Sequence, residues 1–406
     1  MNQFKLIYDR TNLISLMIML LVLMMATPLA AATKALSKQT YQQLQASQKL
    51  LEAGDHNKAI ALLDTLLTET AERPYEQAVT LQTLAHAYIS QDNYDKAIPC
   101  LQRSLELKQL PDDAQQRARY NLAQLYLAGK RFDDAIATIN IWLAQATQPR
   151  AEVYAMLGSA YLQLSRYADA VDPLRQAIKL NATPKENWYQ SLLGAYNELK
   201  NYKRCIELLR NMIALFPQRP LYWRQLAGIE MMLEHHHQAL AVMELAYLRG
   251  HLDTERDLLN LAQLYAQLNA PYKAATLIEK EIASKRIEDN GKHWELAANA
   301  WGQARENKHA INALEQAWKK SPQPALGLRL SQHYIEAQRW QVAGDVLQNL
   351  LDRKKMKDDD AGRAWLLLGI TRFETKLRDE ARTALTEASK YSKTQKDARQ
   401  WLAALE

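Results

Sequence analysis

Ten small residues, Ala59, Ala97, Ala135, Ala170, Cys205, Ala239, Ala274, Ala310, Ala343 and Ala381, recur at steps of 33 to 38 residues. Nine residues before most of them stands an aromatic: Tyr88, Tyr126, Tyr161, Tyr196, Tyr265, Trp301 and Tyr334. Three residues earlier again lies a small residue, as at Ala85, Ala123, Gly158, Ala227, Ala262, Ala298 and Gly369. A leucine precedes most of these: Leu84, Leu122, Leu157, Leu226, Leu261 and Leu368. Leucine, small residue and aromatic at offsets 0, 1 and 4 share one stripe of a helix, with polar residues between. The alanine register and the aliphatic four residues on (Leu101, Ile139, Leu174, Leu209, Leu314, Leu347, Leu385) define the stripe of a second helix. The spacing therefore predicts one helix pair per period. Small residues let the two backbones approach, the aromatic fills the adjacent gap, and only the next pair can cover the apolar surface left over. A period near 34 predicts a stacked array in place of the two or three globular domains that 406 residues would otherwise suggest.

These residues resemble the tetratricopeptide repeat, whose motif is a Trp, Leu-Gly, Tyr, Ala, aromatic, Ala, Pro series. Repeat four carries Leu157, Gly158, Tyr161, Ala170 and Ala177; repeat six carries Trp223, Leu226, Ala227, Ala239 and Ala246. Repeat eight carries Trp294, Ala298, Trp301, Ala310, Ala317 and Pro322. The resemblance covers roughly residues 40–393 and implies an all-α, right-handed α-solenoid of about ten helix pairs. Departures are Glu230 and Arg372, which replace the aromatic in repeats six and ten, and an atypical repeat one with Ser47 and Leu50. Terminal repeats of a solenoid are expected to be atypical.

Both chain ends read differently from the array, which spans 33–393. In 394–406, Ala398, Trp401, Leu402 and Leu405 share a helical stripe, and Thr394 with Asp397 suits a capping box. This predicts a capping helix over repeat ten. In 1–32, Lys5 and Arg10 lead, Leu13 to Met25 is almost wholly apolar, and Ala30-Ala31-Ala32 closes the segment. Such a pattern predicts a secretory signal peptide. The apolar run is shorter than the ~20 residues of a spanning helix, the alternative being an uncleaved inner-membrane anchor with the array facing the periplasm. Either way the expected location is periplasmic, with membrane contact only through this segment.

The net charge of +6 comes from mixed helix faces without a basic block, so nucleic acid is not an expected partner. Cys100 and Cys205 lie in different repeats, and stacked repeats hold such positions beyond the Cα limit of about 7 Å for a bridge. His235-His236-His237 could supply imidazole ligands to a metal. Register favours a packing role instead: His236 stands where other repeats have Tyr94, Phe132, Tyr167, Tyr202, Tyr272 and Trp340, and no carboxylate or thiol partner is apparent. Arg353 to Asp360, and the Asn290-Gly291 region, read as solvated connectors. There is no G-x-S-x-G elbow, H-E-x-x-H, phosphate-binding glycine loop or C-x-x-C. The expectation is a protein without catalytic residues, cofactor or metal.

The resemblance also implies where a partner would lie. In this family first-helix positions 2, 5, 9 and 12 face the concave groove. Here they include Tyr120, Gln124, Leu127, Gln190, Asn197, Arg224, Met231, Gln263, Asn299 and Gln332, with Asn121 and Asn260 adjacent. Amides can hydrogen-bond an extended peptide backbone, and Met adapts to varied apolar groups. A lysine–asparagine clamp for a chaperone C-terminus is not assembled, because its expected positions hold Leu44 and Gln48. The expected function is a non-enzymatic envelope scaffold. The stretch Trp188 to Leu252 is similar to tetratricopeptide proteins that accompany TonB–ExbB–ExbD energy-transduction systems, which would imply a partner in that motor. The alternative is a module binding envelope polysaccharide or serving peptidoglycan enzymes, which would need aromatic platforms on the groove.

Overall fold

A computed structural model describes residues 35–405 except 184, 354 and 355, so the signal-peptide segment 1–32 lies outside the described residues. Twenty-one helices and no strand occur among the described residues. The chain divides into two compact units, one ending at Tyr202 and the other running from Lys203. In the first, the pairs Lys38–Glu52 with His56–Glu69 and Pro74–Ile89 with Tyr94–Glu106 form repeats one and two. Asp112–Ala128 with Phe132–Gln145 and Ala151–Gln163 with Tyr167–Leu180 form repeats three and four, and Glu186–Glu198 opens repeat five. Tyr202–Leu215, nearly all in the second unit, is the second helix of repeat five. Repeats six to eight are Pro220–Met232 with His236–Leu248, Glu255–Gln267 with Pro271–Ala283, and Gly291–Gln303 with Asn307–Lys320. Pro324–Glu336 with Trp340–Asp352 and Asp358–Glu374 with Arg378–Ala388 make repeats nine and ten, and Gln395–Ala403 follows.

The registers predicted from spacing are the core. All ten residues of the alanine register are between 0 and 1 % exposed. At the crossing in repeats four and ten the small residue faces the aliphatic of the second helix. A Cβ on Gly158 would lie 2.6 Å from Leu174 Cγ, and one on Gly369 2.5 Å from Leu385 Cγ. Contact that close leaves no room for a branched side chain without overpacking.

Between the two helices of each repeat the chain turns through a left-handed residue. Repeat one uses Gly54, at φ +81°. The equivalent positions in the other repeats are Asp92, Lys130, Ser165, Lys200, Glu234, Asn269, Arg305, Gln338 and Lys376, all at φ between +54° and +66°. A Cβ is strained there, and glycine is the usual solution at the residue after a helix C-cap. Lys200→Gly and Gln338→Gly, both at exposed sites, are each expected to stabilise the protein by about 0.5–1 kcal/mol. Thermal unfolding of the two variants checks this, and an unchanged or lowered midpoint for both would refute it.

The C-terminal helix docks differently from the expected capping box. Thr394 makes no side-chain cap bond to its own helix. Its hydroxyl donates instead to the Ala388 carbonyl at 2.8 Å, satisfying an orphan group at the end of the preceding helix. Ala398 and Leu405 are buried, and Trp401 meets Phe373 edge-on at 5.3 Å. The acidic run assigned to a connector enters the next helix: Asp358, Asp359 and Asp360 form its first turn, where the helix dipole favours negative charge.

Candidate interaction surface

Polar bonds between repeats decide which side chains are committed to the fold. In repeats seven, eight and nine the aromatic of the first helix donates to a glutamate on the preceding repeat's second helix. Tyr265 Oη reaches Glu244 at 2.9 Å, Trp301 Nε1 reaches Glu279 at 2.7 Å, and Tyr334 Oη bonds Glu315. These glutamates all stand five residues after the alanine register. Repeat six inverts the pair. Glu230, 2 % exposed at the aromatic position, accepts from Arg210 at 3.2 Å, and Arg210 is the residue at the carboxylate position. In repeat ten Arg372 takes the aromatic position and bonds Glu380 at 3.0 Å.

The same contact corrects the reading of the histidines. His235 does have a carboxylate partner: its Nδ1 lies 2.9 Å from Glu230. His236 is exposed and so does not replace a packed aromatic. The carboxylate that His235 meets is spent on Arg210, and no cluster of three or more potential metal ligands occurs among the described residues. Cys100 and Cys205 are free thiols, and burial pushes both thiols up, away from the reactive thiolate.

The loop at Asn290-Gly291 is likewise more than a solvated connector. Glu281, 1 % exposed, accepts from Arg286 Nε at 2.6 Å, Tyr247 Oη at 2.5 Å and Ser284 Oγ at 2.9 Å. Arg286 also donates to the Leu252 carbonyl at 3.2 Å, Ile287 is fully buried, and Glu288 N–H donates to Glu255 at 2.7 Å. Burial opposes the charge on Glu281, but the bonds from Arg286, Tyr247 and Ser284 more than offset it and hold the carboxyl at about 2.

Part of what the fold leaves unspent lies on the first helices. Of the residues expected there, Tyr120 is half-buried with the Arg150 guanidinium 4.4 Å from its ring centre. Asn121, Gln124 and Leu127 beside it are half-buried, while Gln190 and Asn197 are exposed. In the second unit Arg224 is occupied, bonding Asp253 at 2.9 Å and buried Asp257 at 3.3 Å. Met231 is 36 % exposed. Asn260 and Gln263 are exposed and Asn299 and Gln332 half-buried, and none of these four side chains bonds the protein. Gln263, Asn299 and Gln332 share one register position in consecutive repeats, so they form a row of free amides. In the first unit that position holds Gln48, His86, which burial biases towards the neutral form, Gln124, Ser159 and Gly194.

No helix among the described residues is long and apolar enough to cross a membrane. Repetition of one antiparallel helix pair defines this chain as a helical repeat protein. Two stretches, residues 76–140 and 151–184, match family models described as tetratricopeptide repeat, and the other pairs keep the same register. The chain carries tetratricopeptide repeats. Such repeats bind protein or peptide partners, and in that general sense the chain is an interaction scaffold. No curated protein matches it. Similar solved structures include MamA 41-end from Desulfovibrio magneticus RS-1, at 18 % identity and a TM-score of 0.38, covering 45 % of this chain and 98 % of that one. A tetratricopeptide repeat protein from Parabacteroides merdae shows 17 % identity and a TM-score of 0.38, covering 64 % and 99 %. YrrB, described as a TPR protein with an unusual peptide-binding site, shows 15 % identity and a TM-score of 0.36, covering 44 % and 89 %.

Proposed function

We propose that this protein is a non-enzymatic scaffold of the bacterial cell envelope, exported to the periplasm by residues 1–32, that holds a partner protein on its first helices. The single observation that carries the binding surface is the row Gln263, Asn299 and Gln332, whose donors and acceptors the fold leaves unused. Each amide offers both a donor and an acceptor, which matches the alternating N–H and C=O of an extended backbone. Gln263, Asn299 and Gln332 stand on three successive first helices, so they offer amides at repeated points along a bound strand. The partner proposed on the resemblance of the Trp188 to Leu252 stretch is a component of a TonB–ExbB–ExbD-type motor.

The glycan alternative draws less support. Sugar binding needs adjacent aromatic faces on the surface, whereas Tyr126, Tyr196, Tyr265, Trp301 and Tyr334 are all 8 % exposed or less and the exposed Tyr41 and Tyr272 lie in different units. The test is photocrosslinking in cells. A photoreactive residue at Gln263 is preferable to one at Arg224, because replacing Arg224 would strand buried Asp257. Gln263 is expected to capture one envelope protein while the same residue at exposed Lys396 captures none. Capture at Lys396 alone would move the working surface to the C-terminal helix. A captured protein with no link to the inner-membrane motor would remove the TonB assignment and leave the scaffold.

A further inference from the structure

The first-helix faces of the two units differ in charge. In the first unit, the charged residues 18 places before the alanine register are already paired: Arg117 with Asp113 at 2.6 Å, and Glu152 with Lys185 at 2.9 Å. With His86 biased neutral, that face presents amides, aliphatics and the rings of Tyr41 and Tyr120. In the second unit the same position holds Arg256, Lys292 and Arg363, all exposed and none bonded to the protein. Repeat nine has Ala325 there and places its cation one turn on, at Arg329, whose nearest carboxylate, on Glu295, is 3.9 Å away.

Arg256, Lys292 and Arg363 make no ion pair although acids are close in sequence. Asp253 and Asp257 are held by Arg224, and Glu255 accepts the Glu288 N–H. Asp289 is held by Lys320 at 2.5 Å and by Trp294 Nε1, and Asp359 by Lys393. Asp358 and Asp360, at the start of the helix that carries Arg363, make no ion pair. An open depression of about 380 Å³ adjoins Lys292, lined also by Glu295, Ser321, Gln323 and Leu326. Desolvating an unpaired cation costs free energy unless an anion arrives with the partner, so an uncharged strand laid here would be disfavoured.

We propose that the second unit selects an extended acidic segment of its partner, with carboxylates facing Arg256, Lys292 and Arg363 while the amide row Gln263, Asn299 and Gln332 holds the backbone. The first unit, whose charged residues at the equivalent positions are paired, takes no part in this selection. The proposal rests on the reading that the amide face is the working surface.

The probes are three fluorescein-labelled peptides, four repeats each of Ser-Thr-Glu, Ser-Thr-Gln and Ser-Thr-Lys, titrated with the full chain by fluorescence anisotropy at low salt. The glutamate peptide is expected to bind at least 10-fold more tightly than the glutamine peptide, which is about 1.4 kcal/mol, and the lysine peptide not at all. Raising the salt should erase that preference, since exposed charges are screened within about 10 Å at 0.1 M. Arg256→Glu with Lys292→Glu, at exposed positions, should abolish it with the circular dichroism spectrum unchanged. Equal binding of the glutamate and glutamine peptides, or a preference that survives in the double variant, overturns the charge selection. The triple variant Gln263→Ala, Asn299→Ala, Gln332→Ala separates the two readings: it should weaken both peptides alike, and unchanged binding of both would refute the amide surface instead. Failure of all three peptides to bind overturns the proposal, and so does binding of polygalacturonate alone, which would assign the face to anionic glycans.

Discussion

Replacing Glu281 by glutamine is expected to destabilise the second unit by about 3 kcal/mol at pH 7, and by next to nothing near pH 2. The carboxyl titrates at an ordinary 4.5 when unfolded and at about 2 in the fold. Each unit of that difference is worth about 1.4 kcal/mol. A carboxyl whose folded value is depressed contributes its full stabilisation above the unfolded value and loses it as pH falls towards the folded one. The window is therefore between about 4.5 and 2. Glutamine imitates the protonated form in shape and charge, so the gap between parent and variant should close across that window. The bonding pattern agrees: Arg286, Tyr247 and Ser284 all present donors, which a carboxylate accepts and which neither a protonated carboxyl nor an amide can match in full. Urea unfolding followed by tryptophan fluorescence at several pH values provides the test. A gap that stays constant from pH 7 to pH 2.5 would show that the carboxylate is not what holds the loop after repeat seven.

What the sequence discloses here depends on whether a contact repeats. The alanine register and the small residue opposite Leu174 or Leu385 are legible because the same crossing geometry recurs, and the eye needs only one period to find them all. The glutamate five residues after Ala239, Ala274 and Ala310 was equally periodic, and it becomes recognisable once its donor is known to sit in the following repeat. Contacts made once leave no such trace. Nothing in Glu281, Tyr247 and Arg286, spread over 40 residues, announces that they converge. The histidines misled for a related reason. Register suggested a buried aromatic at His236, but occupancy of that position is not itself burial, for Tyr272 in the same column is 56 % exposed. On the candidate surface, register located Gln263, Asn299 and Gln332 as a row, yet only the coordinates separate these free amides from Arg224, which the chain has already claimed. A charge that is neutralised locally and one that is available look identical in a string of letters.

The inverted pair at repeat six allows that periodic logic to be tested directly. Arg210→Ala is expected to destabilise the second unit by about 2–3 kcal/mol, since it leaves the buried Glu230 carboxylate with His235 as its remaining partner. The figure sits below the usual range for a broken buried pair because Arg210 is itself 61 % exposed and its charge partly hydrated. Arg210→Glu should be worse, placing two carboxylates against each other. Combining Arg210→Glu with Glu230→Tyr restores the arrangement that Tyr265 and Glu244, or Tyr334 and Glu315, already adopt. If the registers are equivalent, the double variant should fall within about 1 kcal/mol of the parent, with the coupling measured by a double-mutant cycle. Losses that simply add would mean that the pocket around residue 230 has been reshaped for a carboxylate and no longer accepts a ring. Recovery would show that the polar bond between repeats is a fixed slot in the helix stack, filled with either charge polarity, and that its side chains belong to folding and are unavailable to a partner.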